Sequence, residues 1–443
     1  MAPSNVRVIS RFIDLIETVG RTASLRSLVL TDSKAFSRHR KLSFNTVTYL
    51  ILNLLKKSLQ VELKLFFSQL QIPVEQQFTK GAFSQRRHQI HSGWFKYLLE
   101  YLGTIYYELG DHVQLWNGYK LLAIDGSTAF LISSQEANSV YKGARNKYGS
   151  YPLCRFMKMY DVLNNITLKV AMLSMENSER KCAYDWVDAI PDNSLTLFDR
   201  GFPSFTLFFL LQSCETPKAF IARCKLDFSN SIKAFVASGA KSRMITFYAD
   251  DNARKVLRSY GYILAKDTGI TLRVEKIKLP NGTVEVLITS LTDTQKISNE
   301  ELKWLYRQRW GIETAIGREK NLLQLENYSS HLLQGIEQDF FATFIAANIH
   351  SIVAGQAQSM LKKENKQSKY DRQINYSASM HAFKEKVLQL FYTQQLKKVL
   401  WEMAIAFKQF TEPIRSNRNV ERKKTSKRRY GKHQTQKNYR NNI

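Results

Sequence analysis

The chain has 443 residues, long enough for roughly two to four domains and at least one large core, and a hydrophobic content of 44% excludes wholesale disorder. Lys and Arg number 65 against 38 acids, a formal net charge of +27, so a polyanionic partner is expected. Nucleic acid is the commonest such partner; an acidic membrane or the ribosome would also suit the charge.

The N-terminal stretch MAPSNVRVISRFIDLIETVG is an amphipathic mixture without a continuous apolar core, so no signal peptide is expected. No apolar run reaches about 18 residues. The nearest, FFATFIAANIHSIVAG at 340–355, is interrupted by Asn348 and His350 and reads as a buried core helix. Cys154, Cys182, Cys214 and Cys224 show neither CxxC spacing nor histidine partners, which argues for reduced thiols in a cytoplasmic protein and against structural zinc.

Residues 1–115 are helical in pattern, with apolar helical spacing over 44–70. The segment 78–106 pairs a short Arg-rich stretch with an amphipathic helix, in the manner of a helix–turn–helix or of an ordinary bundle with a basic face. From Tyr119 the texture changes. YKLLAID (119–125) reads as a buried strand ending in Asp125, and 153–163 with 166–173 as two strands joined by a tight turn. A helix is expected at 179–190, a buried strand SLTLFD (194–199) ending in Asp199, a helix at 203–214 and a strand at 219–225. Residues 226–285 read as a β-rich insertion with strand-like runs at 243–249, 271–279 and 283–291, the last after the turn signal PNG at 280–282. Helices follow at 299–326, 336–362 and 377–409. The last 30 residues hold eleven Lys or Arg and one acid, Glu421, which predicts a disordered basic tail that seeks phosphates. Hairpin strands followed by βαβ crossovers describe an α/β protein with a mixed sheet covered by helices.

Asp125 and Asp199 are both placed at strand ends, where open α/β sheets bind ligands. If their strands are neighbours, the two carboxylates repel unless a divalent cation such as Mg2+ joins them. The segment LYRQRWGIETAIGREK (305–320) supplies a third acid. At about 100° per residue, Tyr306, Arg309, Glu313 and Lys320 share a stripe roughly 60° wide. It borders the apolar stripe of Leu305, Ile312, Ile316 and Leu323, while Arg307 and Arg318 fall on the far face. An Arg309–Glu313 surface pair would explain part of this pattern. The alternative is a phosphate-binding rail with Glu313 as a third metal ligand and Tyr306, Arg309 and Lys320 as phosphate contacts.

The spacing Tyr-x2-Arg-x3-Glu-x6-Lys, together with LLAIDGS and LTLFDRGF around the two aspartates, resembles the signature of the insertion-sequence-four family of DDE transposases, the group that includes the transposon-five enzyme. The resemblance covers roughly residues 78–365. It implies an RNase H-like catalytic core (116–225 and 286–365) interrupted by the β-rich insertion (226–285). A helical N-terminal DNA-binding domain (1–115) would precede it and a helical C-terminal dimerisation region would follow, so that 366–443 holds a C-terminal helix and the basic tail read above. It also implies Mg2+-dependent cutting of element ends through a hairpin intermediate, Mn2+ being a possible substitute. The 3′ ends would then be joined to target DNA within a homodimeric synaptic complex. Catalysis and metal binding would fall to Asp125, Asp199 and Glu313. Family members can stack a flipped base on an aromatic residue, in some cases a Trp of the insertion. Here that segment has no Trp, and Phe247, Tyr248, Tyr260 or Tyr262 is left for the role. Two rival functions fit the same residues: a catalytically silent repressor derived from a transposase, and a structure-specific nuclease that cuts without joining.

Overall fold

The computed structural model describes residues 3–414 apart from 39, 111–112, 144, 147–148, 280–281 and 365–369. The basic tail expected at 415–443 and part of the PNG turn therefore lie outside the described residues. The N-terminal region is helical: α1 (Pro3–Arg21), α2 (Ala23–Ser27), α3 (Phe44–Leu52), α4 (Leu59–Gln69), α5 (Lys80–Arg87) and α6 (Ser92–Leu109). Ser43 and Thr79 cap α3 and α5 by accepting the amides of Thr46 and Ala82. The single helical run read over 44–70 is broken in two. Leu54 takes a φ of 56°, and the buried Glu62 reaches back to accept the amides of Lys56 and Lys57 at 3.0 and 2.9 Å.

Next come β1 (Lys120–Phe130), α7 (Gln135–Val140), the short pair β2 (Arg145–Asn146) and β3 (Gly149–Ser150), then β4 (Leu153–Asp161) and β5 (Ile166–Ser174). α8 (Glu179–Asp185), β6 (Ser194–Phe198), α9 (Phe205–Ser213) and β7 (Ala219–Cys224) complete the first half of the sheet. The hairpin between β4 and β5 is held by Asp161, whose Oδ1 accepts the amides of Leu163 and Asn164, and by Asn165 at φ 57°. β6 is buried along its whole length, as a central parallel strand must be.

The segment after β7 is less purely β than its sequence pattern suggests. It forms α10 (Asn230–Ala237), β8 (Ser242–Tyr248), α11 (Asp251–Ser259), β9 (Gly269–Lys278) and β10 (Val284–Thr289). Its strands join the main sheet, which runs β5-β4-β1-β6-β7-β10-β9-β8. β1–β6 and β6–β7 are parallel and every other pair is antiparallel. This is the mixed α/β sheet expected of an RNase H-like core, extended by the insertion and flanked by helices.

The chain closes with α12 (Asn299–Gln308), α13 (Trp310–Asn321), α14 (Leu333–Glu364), β11 (Arg372–Ile374), α15 (Tyr376–Tyr392), α16 (Leu396–Gln409) and β12 (Thr411–Pro413), which pairs with β11. Both helical runs read at 299–326 and 377–409 are thus split in two. By length and composition α14 could cross a membrane, yet 78% of its most apolar window is buried within the fold. The two polar interruptions noted in the sequence find partners there, although His350 Nδ1 is buried without one. Asn348 exchanges hydrogen bonds with the backbone of Thr167 on β5 at 2.7 and 2.8 Å, and His350 Nε2 meets Ser379 Oγ at 2.8 Å. α6 packs on α14, α1 and β5, and its Phe95, Leu98, Leu99 and Leu102 are buried. The second helix of the helix–turn–helix-like segment is therefore a core helix.

Candidate active site

The site begins as a row across the sheet. The β1–β6 register pairs Ile124 with Phe198, and the β6–β7 register pairs Phe198 with Ala222. One residue further along, Asp125, Asp199 and Arg223 stand side by side. On the other flank Asp125 is opposite Lys158 of β4. Residues level with one another on neighbouring strands leave the same face. The sheet therefore presents Lys158, Asp125, Asp199 and Arg223 in line, two acids between two bases. Asp199 does follow the last residue of its strand, as expected. Asp125 does not end β1: the strand continues to Phe130 because β4 keeps pairing with it after β6 has diverged.

Arg223 secures Asp199. Its Nη2 and Nε donate to Asp199 Oδ1 at 2.7 and 3.1 Å, and its Nη1 donates to Glu285 Oε1 at 2.5 Å. The Tyr306 hydroxyl adds a third donor to Asp199 Oδ1 at 3.3 Å. Tyr306 lies near the end of α12, whose start is fixed by a capping box between Ser298 and Glu301. Arg309 joins α12 to α13. The turn tightens there, with Arg309 N donating to Tyr306 O and Ile312 N to Arg309 O, each at 3.1 Å. The backbone stays helical (φ −51°, ψ −33°), so the stripe predicted for one continuous helix survives the break. Leu305, Ile312, Ile316 and Leu323 are buried as expected.

The Arg309 guanidinium, 2% exposed, spans the remaining acids. Nη2 donates to Glu313 Oε1 at 2.8 Å and Nη1 to Asp125 Oδ2 at 3.4 Å. Asp125 Oδ1 accepts the Gly126 amide at 2.8 Å. The structure thus gathers these residues in two arginine-centred sets, Asp199 with Arg223 and Tyr306, and Asp125 with Glu313 on Arg309, the two guanidinia lying 5.9 and 5.7 Å from the centre of the Tyr306 ring. Lys320 stands apart, two turns along α13. Its Nζ is 4.0 Å from Glu326 Oε1, which accepts the amide of Phe130 at the far end of β1. Arg318, read as a far-face residue, instead lies over the Tyr376 ring at 4.4 Å.

The electrostatics separate the two aspartates. Burial, reinforced by Asp199 and Glu313, pushes Asp125 up to about 6 against the pull of the Gly126 amide and Arg309. Burial also acts on Asp199, but the Arg200 amide, Arg309 and Arg223 outweigh it and hold that carboxyl below the usual range. Among the described residues no three His, Cys, Asp or Glu side chains converge on a single point as a metal cluster would require. Asp125 and Glu313 meet on the Arg309 guanidinium and Asp199 on that of Arg223. Arg223 and Glu285 were not found from the sequence. The only signal was positional: Arg223 occupies on β7 the level that Asp199 occupies on β6.

The family model for the transposase DDE domain matches residues 116–349, more than half of the chain, and includes all three acids. The protein belongs to the DDE transposases, in keeping with the resemblance carried by its motifs. The chain is 23% identical over 238 residues to the transposase InsG of insertion sequence element IS4 from Escherichia coli K12, an alignment covering 53% of this chain and 52% of InsG. It is 31% identical over 99 residues to InsZ of the same strain, covering 22% of this chain and 33% of InsZ. The chain thus spans about half the length of one curated relative and a third of the other. A solved structure of piggyBac transposase in a synaptic complex with hairpin DNA aligns over 89% of this chain and 79% of its own. Its TM-score of 0.43 and identity of 12% are too low for anything to be carried across.

Proposed function

We propose that the protein is the transposase of an insertion sequence, binding terminal inverted repeats, cutting the element ends and joining the 3′-hydroxyls to target DNA. The observation that carries this reading is the acid set: Asp125 and Asp199 level on neighbouring parallel strands, with Glu313 tied to Asp125 through Arg309. DDE transposases generally use divalent metal ions. The donors here suit Mg2+, or Mn2+ in its place, because all three are carboxylates, and burial, which raises Asp125 to about 6 with smaller contributions from Asp199 and Glu313, is a penalty that a bound cation would offset. Asp125, Asp199 and Glu313 would hold the ions, and bound metal would supply activation of the attacking water or 3′-hydroxyl and stabilisation of the leaving oxygen. Tyr306 and Arg309 then bind the phosphates beside the scissile bond, Arg309 through two parallel donors, and Lys320 binds a phosphate further along the strand as a point charge.

The division into an N-terminal domain (1–115), core (116–225 and 286–365), insertion (226–285) and C-terminal region (366–443) follows the same reading. In the first of these, Lys34, Arg38, Arg40, Lys41 and Arg86 line a groove of about 800 Å3, which we take as the inverted-repeat contact. Among the four aromatics left for base stacking, Phe247 is buried, Tyr260 is hydrogen-bonded to Asp185 at 2.6 Å, and Tyr262 packs edge-on to Phe209. Tyr248 is 63% exposed on a cleft it shares with Arg180, Arg200 and Lys225, which favours it for a flipped base in a hairpin step. A homodimer assembling two ends, in the bacterial cytoplasm and on the nucleoid, completes the proposal. The test is strand transfer: end-labelled inverted-repeat DNA, a supercoiled target and Mg2+. Labelled target is the expected product. Cutting without transfer would support the nuclease reading, and tight binding without cutting the repressor reading.

A further inference from the structure

Lys158 is the one member of the charged row that does not engage its neighbouring acid. It stands opposite Asp125 on β4, yet its ammonium forms an ion pair with Glu319 on α13. Both partners are buried, Lys158 at 0% and Glu319 at 3% exposed. Lys158 Nζ also lies 4.2 Å from the centre of the Tyr160 ring and 5.5 Å from that of Phe344. Glu319 Oε2 is buried without a hydrogen-bond partner.

An ion pair in such a place is a poor source of stability. Desolvation of the two charges roughly cancels their attraction, and well-packed apolar residues of the same volume do as well or better. What the pair supplies is placement. The other core contacts of α13, through Ile312, Ala315 and Ile316, are apolar and non-directional. Lys158 and Glu319 form a directional link, and sliding or rotating α13 would strand two buried charges. That link joins the strand residue level with Asp125 to the helix that carries Glu313, about 9 Å along the axis at 1.5 Å per residue. We propose that Lys158 and Glu319 are positioning residues, whose buried ion pair sets the height and rotation of α13 over the sheet and so fixes where Glu313 stands relative to Asp125 and Asp199. This rests on the reading of those three acids as the metal-holding set.

The test replaces both partners at once, Lys158→Met with Glu319→Leu, so that no lone charge is buried. The probe is terbium(III), whose luminescence Tyr306 and Trp310 are placed to sensitise, titrated without DNA; cleavage of inverted-repeat DNA is measured in parallel. The double variant is expected to melt near the wild-type temperature and to bind terbium about tenfold more weakly. It should lose about a hundredfold in kcat with KM for DNA within about twofold. Unchanged terbium affinity and kcat in a folded double variant would overturn the inference. Should that variant not fold, Glu319→Asp keeps the charges but shortens the arm by one methylene. It is expected to lose affinity and kcat in the same pattern, and unchanged values there overturn the inference equally. A wild-type chain that binds no terbium contradicts the metal-site reading itself. One that binds terbium but cuts no DNA contradicts the transposase reading, and the terbium comparison still decides the role of the pair.

Discussion

Arg87 and Arg309 are almost equally buried, at 1% and 2% exposed, but they are held in opposite ways. Arg87, on α5, is satisfied along its whole guanidinium: Nε donates to Gln338, Nη1 to Ser329, and Nη2 to Asp339 and the Gly335 carbonyl, all within 2.7–3.0 Å. Its partners lie on α14 or just before it, so it fastens the N-terminal helices to the core. Arg309 is held by two partly exposed acids, Glu313 at 2.8 Å and Asp125 at 3.4 Å, and its Nε is buried with no partner. A complete, closed network is what a structural charge needs. An incomplete one facing a cluster of acids marks a group that has other partners to find. The difference separates an arginine that builds the fold from one that the proposed function places in the site, although the sequence shows both as Arg in a helical, basic stretch.

The comparison can be broken at several points. The largest effect is expected at the acids that Arg309 and Arg223 hold: on the proposed function, Asp125→Asn or Asp199→Asn should lower DNA cleavage at least ~10³-fold, because each replaces a carboxylate oxygen assigned there to the metal. Arg309→Met should lower cleavage by about 10²–10³-fold while leaving the urea midpoint nearly unchanged. Arg87→Met should do the reverse. It strands Asp339 and should cost about 3–5 kcal/mol in urea unfolding, with little change in cleavage per folded molecule. A loss of activity without a loss of stability at Arg87 would erase the distinction.

A smaller effect comes from His350, fully buried on α14. Burial, with Arg318 nearby, lowers its pKa to about 3 from 6.5. The unfolded chain therefore takes up a proton below pH 6.5 that the folded chain refuses. Stability from this group is complete above pH 6.5 and falls as pH drops towards 3. Between pH 6.5 and 5 the wild type should lose about 1–2 kcal/mol that His350→Leu does not lose, read from urea midpoints.

Much of the site was legible before the structure because its parts follow local rules. A buried strand announces itself as a short apolar run, and an acid at its end stands out, which located Asp199 and, with its strand cut short, Asp125. Helical periodicity placed Tyr306, Arg309 and Glu313 on one stripe beside the core. The rest depends on register between distant strands. Arg223 was invisible until β7 was laid beside β6, and Lys158 and Glu319 until α13 was laid over β4. Lys320 shares the stripe but not the cluster, since two turns of helix carry it past the acids to Glu326. α10 and α11 were missed for a different reason. Each is short, and α11 buries only Ala253 and Leu257, too few apolar positions for a period to show, while its Asp250 cap resembles any turn aspartate.

The most direct test of the central claim is strand cleavage on DNA bearing the inverted repeats that flank this gene, in Mg2+, by the wild-type chain and by Glu313→Gln. This variant keeps the size of the side chain and its hydrogen-bonding oxygen for Arg309 but removes the charge. The account predicts cutting at the repeat ends by the wild type and none by Glu313→Gln, with both binding the DNA equally well. Equal cutting by the two proteins would show that Glu313 is a surface partner of Arg309 and that the chemistry lies elsewhere.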